Sequence, residues 1–440
     1  MVRLEEHKAY SLDQAVESLP LPSRVWIPLI QHLGKACVAQ VKLTDKVLTG
    51  QKIAAVDAHV YAPIHASISG EVKGIVDWPH PVLGRSKAVF IESDGLDKPP
   101  SHPAWPAGRQ ATLPGRQAGK SPEEINKLTV EQIRNIIFEA GIVGMGGAGF
   151  PTHIKLNPPR PVENLIINAA ECEPYLTADY RLMLEKTEQI IRGVDLVGKC
   201  LGVKNMFIAI EDNKPLAIKA FDSVLGRTPI EVVVLKTQYP QGGEKQLVQN
   251  ILHKEVPSGK IPFEVGTVVQ NIATVFAVYE AAYLNKPLYE RVVTVTGSCI
   301  SKPKNLLVRL GTPIKELIQY CGPLKEEPAK IIIGGPMMGI SQYTDQVPVI
   351  KTTTGIILMN KKEVQDREEL ACIRCGACVR ACPTGLMPCI INLAAQKELW
   401  QQAQAYAVAD CIECGCCNYV CPANRNMVQS FKRAKLEIAR

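Results

Sequence analysis

The hydrophobic and polar positions change their rhythm several times along the chain. From Val25 to about Ser93 short apolar runs (VWIPLI, VLTGQKI, VYAPIHASISGEVKGIV, AVFIESDG) are broken by Gly and Pro. Turn signals recurring about every 8–12 residues predict a small β-sandwich or barrel over 25–93. Residues 1–24 are polar and punctuated by proline, and read as an extended arm. Residues 94–122, rich in Pro and Gly without periodicity, read as a linker. Thr129-Val-Glu-Gln132 has capping-box spacing, and the helix it opens ends at Gly141. The runs LIINAA, MFIAI and EVVVL then alternate with helical stretches over 176–200, 215–225, 244–253 and 271–284. That alternation predicts an α/β domain over 123–288 with a mainly parallel sheet covered by helices. From 291 to 322 two strand-like runs, RVVTVTG and NLLVRLG, precede a helix starting at Thr312. They predict a β-grasp-like unit, followed by a strand and glycine-rich turn, IIIGGPMMG, at 331–339, all within 289–358. A cysteine-rich unit fills 359–440. The expected fold class is multidomain α/β.

Composition narrows the function. The chain has 440 residues, 46% hydrophobic and 21% charged, enough for several packed cores. No apolar run is long enough for a transmembrane helix, and the N-terminal residues lack the apolar core of a signal peptide. The expected location is therefore cytoplasmic, or the cytoplasmic side of a membrane. A net charge of +7, the absence of a Lys/Arg block and 5% aromatic residues argue against a nucleic-acid partner.

Ten of the 15 cysteines lie between Cys372 and Cys421. In a cytoplasmic chain such a cluster means metal ligation or redox chemistry. Cys372, Cys375, Cys378 and Cys382 recur as Cys411, Cys414, Cys417 and Cys421, each displaced by 39 residues. The shared offset selects Cys417 over its neighbour Cys416. Both copies spell C-x2-C-x2-C-x3-C-P, closed by Pro383 and Pro422. Three thiolates at every third position wrap one cubane, and the fourth reaches the other. One [4Fe–4S] cluster is thus expected on Cys372, Cys375, Cys378 and Cys421, and a second on Cys411, Cys414, Cys417 and Cys382. Structural zinc sites, which pair two C-x2-C units across a longer loop, match this spacing poorly. Cys37, Cys172, Cys200, Cys299, Cys321, Cys389 and Cys416 are expected as small buried apolar residues.

One-electron clusters need a partner centre, and residues 141–151 (GIVGMGGAGFP) draw attention. Gly144-x-Gly146-x-x-Gly149 matches a dinucleotide fingerprint in letters only, because a helix precedes it where the fingerprint needs a strand. Five glycines in nine positions nevertheless let backbone N–H groups approach an anion or a flat ring. Lys155 follows within reach of a phosphate. Asn168-Ala-Ala-Glu171-Cys172-Glu173-Pro174 ends a predicted strand, where α/β sheets bind ligands. Gly243-Glu244 and Asn271…Thr274 open two predicted helices, whose N-termini favour phosphate. The alternative is that the glycine loop is a plain connector and the chain a non-enzymatic relay or scaffold.

Gly144–Pro151 with Lys155, Asn168–Pro174, Gly243-Glu244 and Asn271…Thr274 resemble the flavin- and NADH-binding elements of the NADH-oxidising subunit of respiratory complex I. In this order, preceded by PIHASISG (63–70) and followed by the double cysteine motif, the chain resembles the RnfC family, from about residue 20 to 435. Members of that family are peripheral, cytoplasmic subunits of Rnf ion-translocating ferredoxin:NAD+ oxidoreductase complexes. The resemblance implies an N-terminal barrel-sandwich hybrid, a complex I-like flavin domain, an SLBB-type β-grasp and a two-cluster ferredoxin-like helical domain. It implies non-covalent FMN held by Gly144, Gly146, Gly147, Ala148, Gly149, Lys155, Asn168, Glu171, Gly243, Asn271 and Thr274. NAD(H) would lie near Phe150, Glu173 and Glu244. No catalytic side chain is implied, since hydride transfer belongs to the cofactors. The implied partners are integral-membrane and ferredoxin-type subunits, with Na+ or H+ translocation carried out elsewhere in the complex. Membrane contact comes through those partners, at the cytoplasmic face of the bacterial inner membrane. A soluble reductase of cobalamin-reductase type shares the loop and clusters and is the alternative. The complex I motif has Arg, Asp and Glu where this chain has Met145, Ala170 and Lys245, which weakens the transfer of nucleotide contacts. Pro63-Ile-His65-Ala66 carries no lysine, so lipoylation is not implied.

Overall fold

A computed structural model describes residues 1–98, 119–226, 228–364 and 368–439. Most of the predicted linker, 99–118, lies outside the described residues. The N-terminal β unit is two small antiparallel sheets. One runs Arg24–Pro28, Gly84–Ser93, Gly70–His80, Lys46–Val47, and the other Val38–Ala39, Lys52–Ala55, Ile64–His65. Period-two alternation sends Val25 and Ile27 into a core with Ile53, Ile64, Val89 and Ile91. Trp26, between them, faces out and stacks on Trp78 and Phe90.

The central domain carries four parallel strands in the order Ile230–Leu235, Asn205–Glu211, Asn164–Asn168, Thr267–Asn271. Asn164–Asn168 is nearly all buried, as a strand covered on both faces must be. Its register aligns Asn168 with Asn271, so two polar side chains end adjacent strands at the carboxyl edge of the sheet. Helices Val130–Glu139, Thr187–Leu201 and Ile272–Leu284 share one large core against the sheet, and Glu244–Leu252 covers the opposite face. The capping box at Thr129 and Gln132 forms as its spacing predicts. The single helical stretch expected over 176–200 is two helices, Ala178–Glu185 and Thr187–Leu201, because Lys186 leaves the helical backbone conformation (φ −133°, ψ 29°).

The β-grasp region is larger than its two expected strands. Six strands line up as Val16–Ser18, Lys304–Arg309, Glu290–Thr296, Gly355–Met359, Lys330–Ile333, Ile340–Gln342. The N-terminal segment is therefore not a free arm: Val16–Ser18 adds a parallel edge strand. Three residues are too few to show a period of two, which is why the pattern missed it. The C-terminal unit is helical, and its short helices Ala377–Ala381 and Cys416–Tyr419 begin at positions related by the repeat. Among the described residues no helix is long and apolar enough to cross a membrane.

Lys351 joins these units behind the glycine loop. Its fully buried Nζ donates to Pro63 O (2.7 Å) in the β unit and Gly141 O (2.6 Å) at the loop's entrance. Burial pulls this lysine down to about 7, against a weaker opposing pull from Cys37. The neutral amine still has two protons for its two carbonyls. Between about pH 7 and the lysine's ordinary value, the unfolded chain binds the proton and the folded chain does not, so raising pH in that window favours the fold. The expected outcome is that wild-type protein gains thermal stability from pH 7 to 9 relative to Lys351→Met. Parallel melting curves for the two proteins would contradict it.

Candidate functional site

The glycine loop is a tight excursion between Val143 and Pro151, which pair across it. Gly144 N donates to Phe150 O (2.8 Å) and Gly149 N to Gly144 O (3.1 Å), closing its base. Met145 N donates to Thr274 Oγ1 (2.9 Å), tying the loop to the start of helix Ile272–Leu284. Gly146, Gly147 and Ala148 form its exposed lip, and Phe150 is half-buried. Gly147 has φ +121°, and a Cβ there would meet nothing within 4 Å. The loop thus presents backbone to open space in a conformation that favours glycine.

The carboxyl edge of the sheet supplies the opposite wall. Asn168 Nδ2 donates to Gly242 O (2.9 Å), and its Oδ1 accepts from Ala170 N (3.2 Å). Asn271 caps its helix by accepting from Ala273 and Thr274 N–H groups, and a Cβ on Gly146 would sit 3.2 Å from it. Asn271 Nδ2 donates to Asp179 Oδ2 (2.8 Å). Burial, with the Glu171 carboxylate close by, pushes Asp179 up to about 6. Gly243 caps helix Glu244–Leu252, and Lys155 Nζ donates to Glu244 Oε1 (2.5 Å). Glycine loop, Asn168, Gly243–Glu244, Asn271 and Lys155 therefore converge on one face.

Glu171 and Glu173 are engaged inside the protein. Glu171 accepts from Asp179 N (2.7 Å) and Tyr180 N (3.2 Å), capping the helix Ala178–Glu185. Glu173 is half-buried against the turn after Ile333, accepting from Met337 N (3.1 Å) and Met338 N (3.0 Å). Burial raises its carboxyl above the ordinary range. The loop carrying both is held by Lys8, whose buried Nζ donates to the carbonyls of Glu171 (2.8 Å), Glu173 (3.1 Å) and Leu176 (2.5 Å). Its ammonium lies 3.8 Å from the Glu171 carboxylate. Nothing in the sequence flags Lys8, which is more than 160 residues from its partners. Removing one partner of a buried ion pair costs about 3–5 kcal/mol. Lys8→Met is accordingly expected to weaken FMN binding by about tenfold or more, measured by fluorescence titration of the flavin-free protein.

The cysteine loops repeat in conformation as well as sequence. Arg374 (φ 54°) and Gly376 (φ 72°) match Glu413 (φ 58°) and Gly415 (φ 79°), so each loop turns twice through the left-handed region. Cys382, Cys411, Cys414 and Cys417 line one cavity, shared with Leu386, Cys416 and Phe431. Four thiols around a largely apolar cavity fit a cubane cluster. Cys378 and Cys421 join the same helical core, while Cys372 and Cys375 are exposed. Cys416 is fully buried and Cys389 is half-buried.

Helix Glu244–Leu252 links the two regions. Lys245 Nζ lies 3.4 Å from Asp410 Oδ1, next to Cys411, and Gln246 Nε2 donates to Pro383 O (3.4 Å), next to Cys382. Ser258 Oγ and Gly259 N (2.8 Å) also donate to Asp410. One helix turn thus meets Lys155, on the short helix that follows the glycine loop, through Glu244, and the Cys382/Cys411 region through Lys245 and Gln246.

Residues 137–280 match the family model described as the Nuo51 FMN-binding domain, and residues 2–96 the RnfC barrel sandwich hybrid domain. Residues 292–341 match the SLBB domain and 364–422 a 4Fe-4S dicluster domain. Three relatives are C subunits of ion-translocating complexes. The chain is 46% identical over 439 residues to that of the proton-translocating ferredoxin:NAD(+) oxidoreductase complex of Clostridium ljungdahlii, covering 99% of this chain and 93% of that one. It is 41% identical to that of the Na(+)-translocating ferredoxin:NAD(+) oxidoreductase complex of Acetobacterium woodii, covering 98% and 96%. Identity to that of the ion-translocating oxidoreductase complex of Rhodobacter capsulatus is 42%, covering 98% and 81%.

Proposed function

Since this chain belongs to the RnfC family, the C subunits of ion-translocating ferredoxin:NAD(+) oxidoreductase complexes, we propose that it is the peripheral electron-transfer subunit of such a complex. It works between NAD(H) and the partner subunits, attached through them to the cytoplasmic face of the membrane. The observation that carries the reading is the single helix turn that bonds both Lys155, just past the glycine loop, and Pro383, at the four-thiol cavity.

When bound, FMN exchanges a hydride with the nicotinamide and passes electrons on singly, and [4Fe–4S] clusters carry them one at a time. The chain's own residues bind and orient. Gly144, Gly146, Gly147, Ala148 and Gly149 offer backbone to the flavin without side-chain obstruction, with Asn168, Gly243, Asn271 and Thr274 around them. Lys155 supplies the cation for an anionic group, and Phe150 and Glu244 border the nucleotide's approach. Glu171 and Glu173 act from behind, by fixing the strand-end loop. Cys411, Cys414, Cys417 and Cys382 hold the cluster on the flavin side. Cys372, Cys375, Cys378 and Cys421 hold the other, whose exposed loop is the face toward the partner subunits.

Protein purified without oxygen is expected to contain about eight irons and one FMN per chain, and NADH is expected to bleach its visible spectrum. Zinc in place of iron, or full iron and flavin without NADH bleaching, would refute the reading.

A further inference from the structure

Tyr239 stands between the two redox regions. Its ring is 2% exposed and packs with Cys414, Cys416, Ala381, Met337 and Ile412. Its backbone is fixed on both sides, with Val2 N donating to Tyr239 O (2.8 Å) and Tyr239 N to Val2 O (2.8 Å). Cys416 Sγ also lies 3.8 Å from Tyr239 O. The phenol oxygen lies 2.9 Å from Cys414 O and 3.2 Å from Glu173 Oε1. A phenol has one proton to give. Each oxygen of the Glu173 carboxylate already accepts a backbone N–H, one from Met337 and one from Met338. The Cys414 carbonyl is therefore the acceptor that needs the phenol proton, and it is also the nearer one.

We propose that Tyr239 is a positioning residue for the iron–sulfur site of Cys382, Cys411, Cys414 and Cys417: its hydroxyl bonds the Cys414 carbonyl, fixes the ligand loop against the flavin domain and sets that cluster's reduction potential. Residues beyond the ligands orient them and tune the metal. A donor aimed at the ligand loop stabilises the more negative, reduced cluster, so it raises the potential. The helix Glu244–Leu252 begins five residues beyond Tyr239, so one short segment touches both the flavin face and the cluster loop. In the other loop the equivalent carbonyl, Cys375 O, accepts instead from Arg380 Nη1 (3.1 Å), and Cys372 and Cys375 are exposed.

The inference rests on the assignment of a cluster to the Cys411 set. Its test is an EPR-monitored redox titration of the full-length, iron- and flavin-loaded protein. Tyr239→Phe keeps the ring and removes the donor. It is expected to shift one of the two cluster signals to lower potential, leave the other in place and leave FMN content unchanged. Tyr239→3,5-difluorotyrosine, a stronger donor of nearly the same size, is expected to shift the same signal upward at a pH where the phenol stays protonated. The fluorinated variant keeps the test decisive if the phenylalanine variant fails to assemble. Iron-replete variants whose two potentials match wild type, or move together, would overturn the role of Tyr239. A wild-type chain that takes up no iron would overturn the cluster assignment itself.

Discussion

Replacing Cys414 with alanine is expected to halve the iron, from about eight atoms per chain to about four, and to bring NADH-driven reduction of the remaining cluster to background. Cys414 is 7% exposed, lines the cavity with Cys382, Cys411 and Cys417, and sits on the flavin side. Losing that cluster opens a gap in the relay between the glycine loop and the exposed Cys372 loop. Flavin reduction by NADH is expected to persist in the same variant, because no ligand of this site borders the glycine loop. Iron analysis and anaerobic visible spectra read both parts. Cys416→Ala is the matched control. Cys416 lines the same cavity but breaks the 39-residue repeat, and it is expected to keep all the iron. Loss of a cluster in Cys416→Ala with retention in Cys417→Ala would reverse the ligand assignment.

Gly147→Val is expected to abolish flavin retention. At φ +121° a β-branched residue is strained, and its side chain would project into the open space before the loop. Strain of this kind costs about 1–3 kcal/mol. Steric exclusion of a flat ring adds to it, so FMN affinity is expected to fall ~100-fold or more. The yellow flavin absorbance should be missing while the cluster absorbance remains. Gly144→Ala is expected to be mild by comparison. A Cβ there meets Phe150 backbone only at 3.7 Å, an ordinary contact, and Gly144 has no positive φ. Equal flavin loss in both variants would mean that the loop acts through flexibility alone.

Much of this site was legible in the sequence for definite reasons. The cysteine repeat is local, so spacing alone proposes a pairing of its ligands, and one cavity holds Cys382 with the Cys411 triplet. The glycine loop and the two helix openings at Gly243 and Asn271 are local as well, and each carries its own capping or turn chemistry. Parallel β-sheet order then delivers Asn168 and Asn271 side by side. Long-range contacts left no such trace. Lys8 reads as one lysine in a polar arm, yet it holds the loop of Glu171 and Glu173. Val16–Ser18 is too short for a pattern, and its pairing partner, Asn305–Leu307, lies far along the chain. Lys351 and Tyr239 act across unit boundaries, through backbone carbonyls that any sequence possesses. The carboxylates of Glu171 and Glu173 show the converse. Their position at a strand end was readable, but not that both would be spent on backbone N–H groups.

The proposed relay carries nicotinamide electrons to the thiol-bound clusters only by way of the glycine-lined pocket. Its most direct test is anaerobic reduction of flavin-stripped protein that keeps its full iron content. NADH is expected to leave the clusters oxidised, dithionite to reduce them, and added FMN to restore reduction by NADH. Clusters that NADH reduces equally well without flavin would contradict the account.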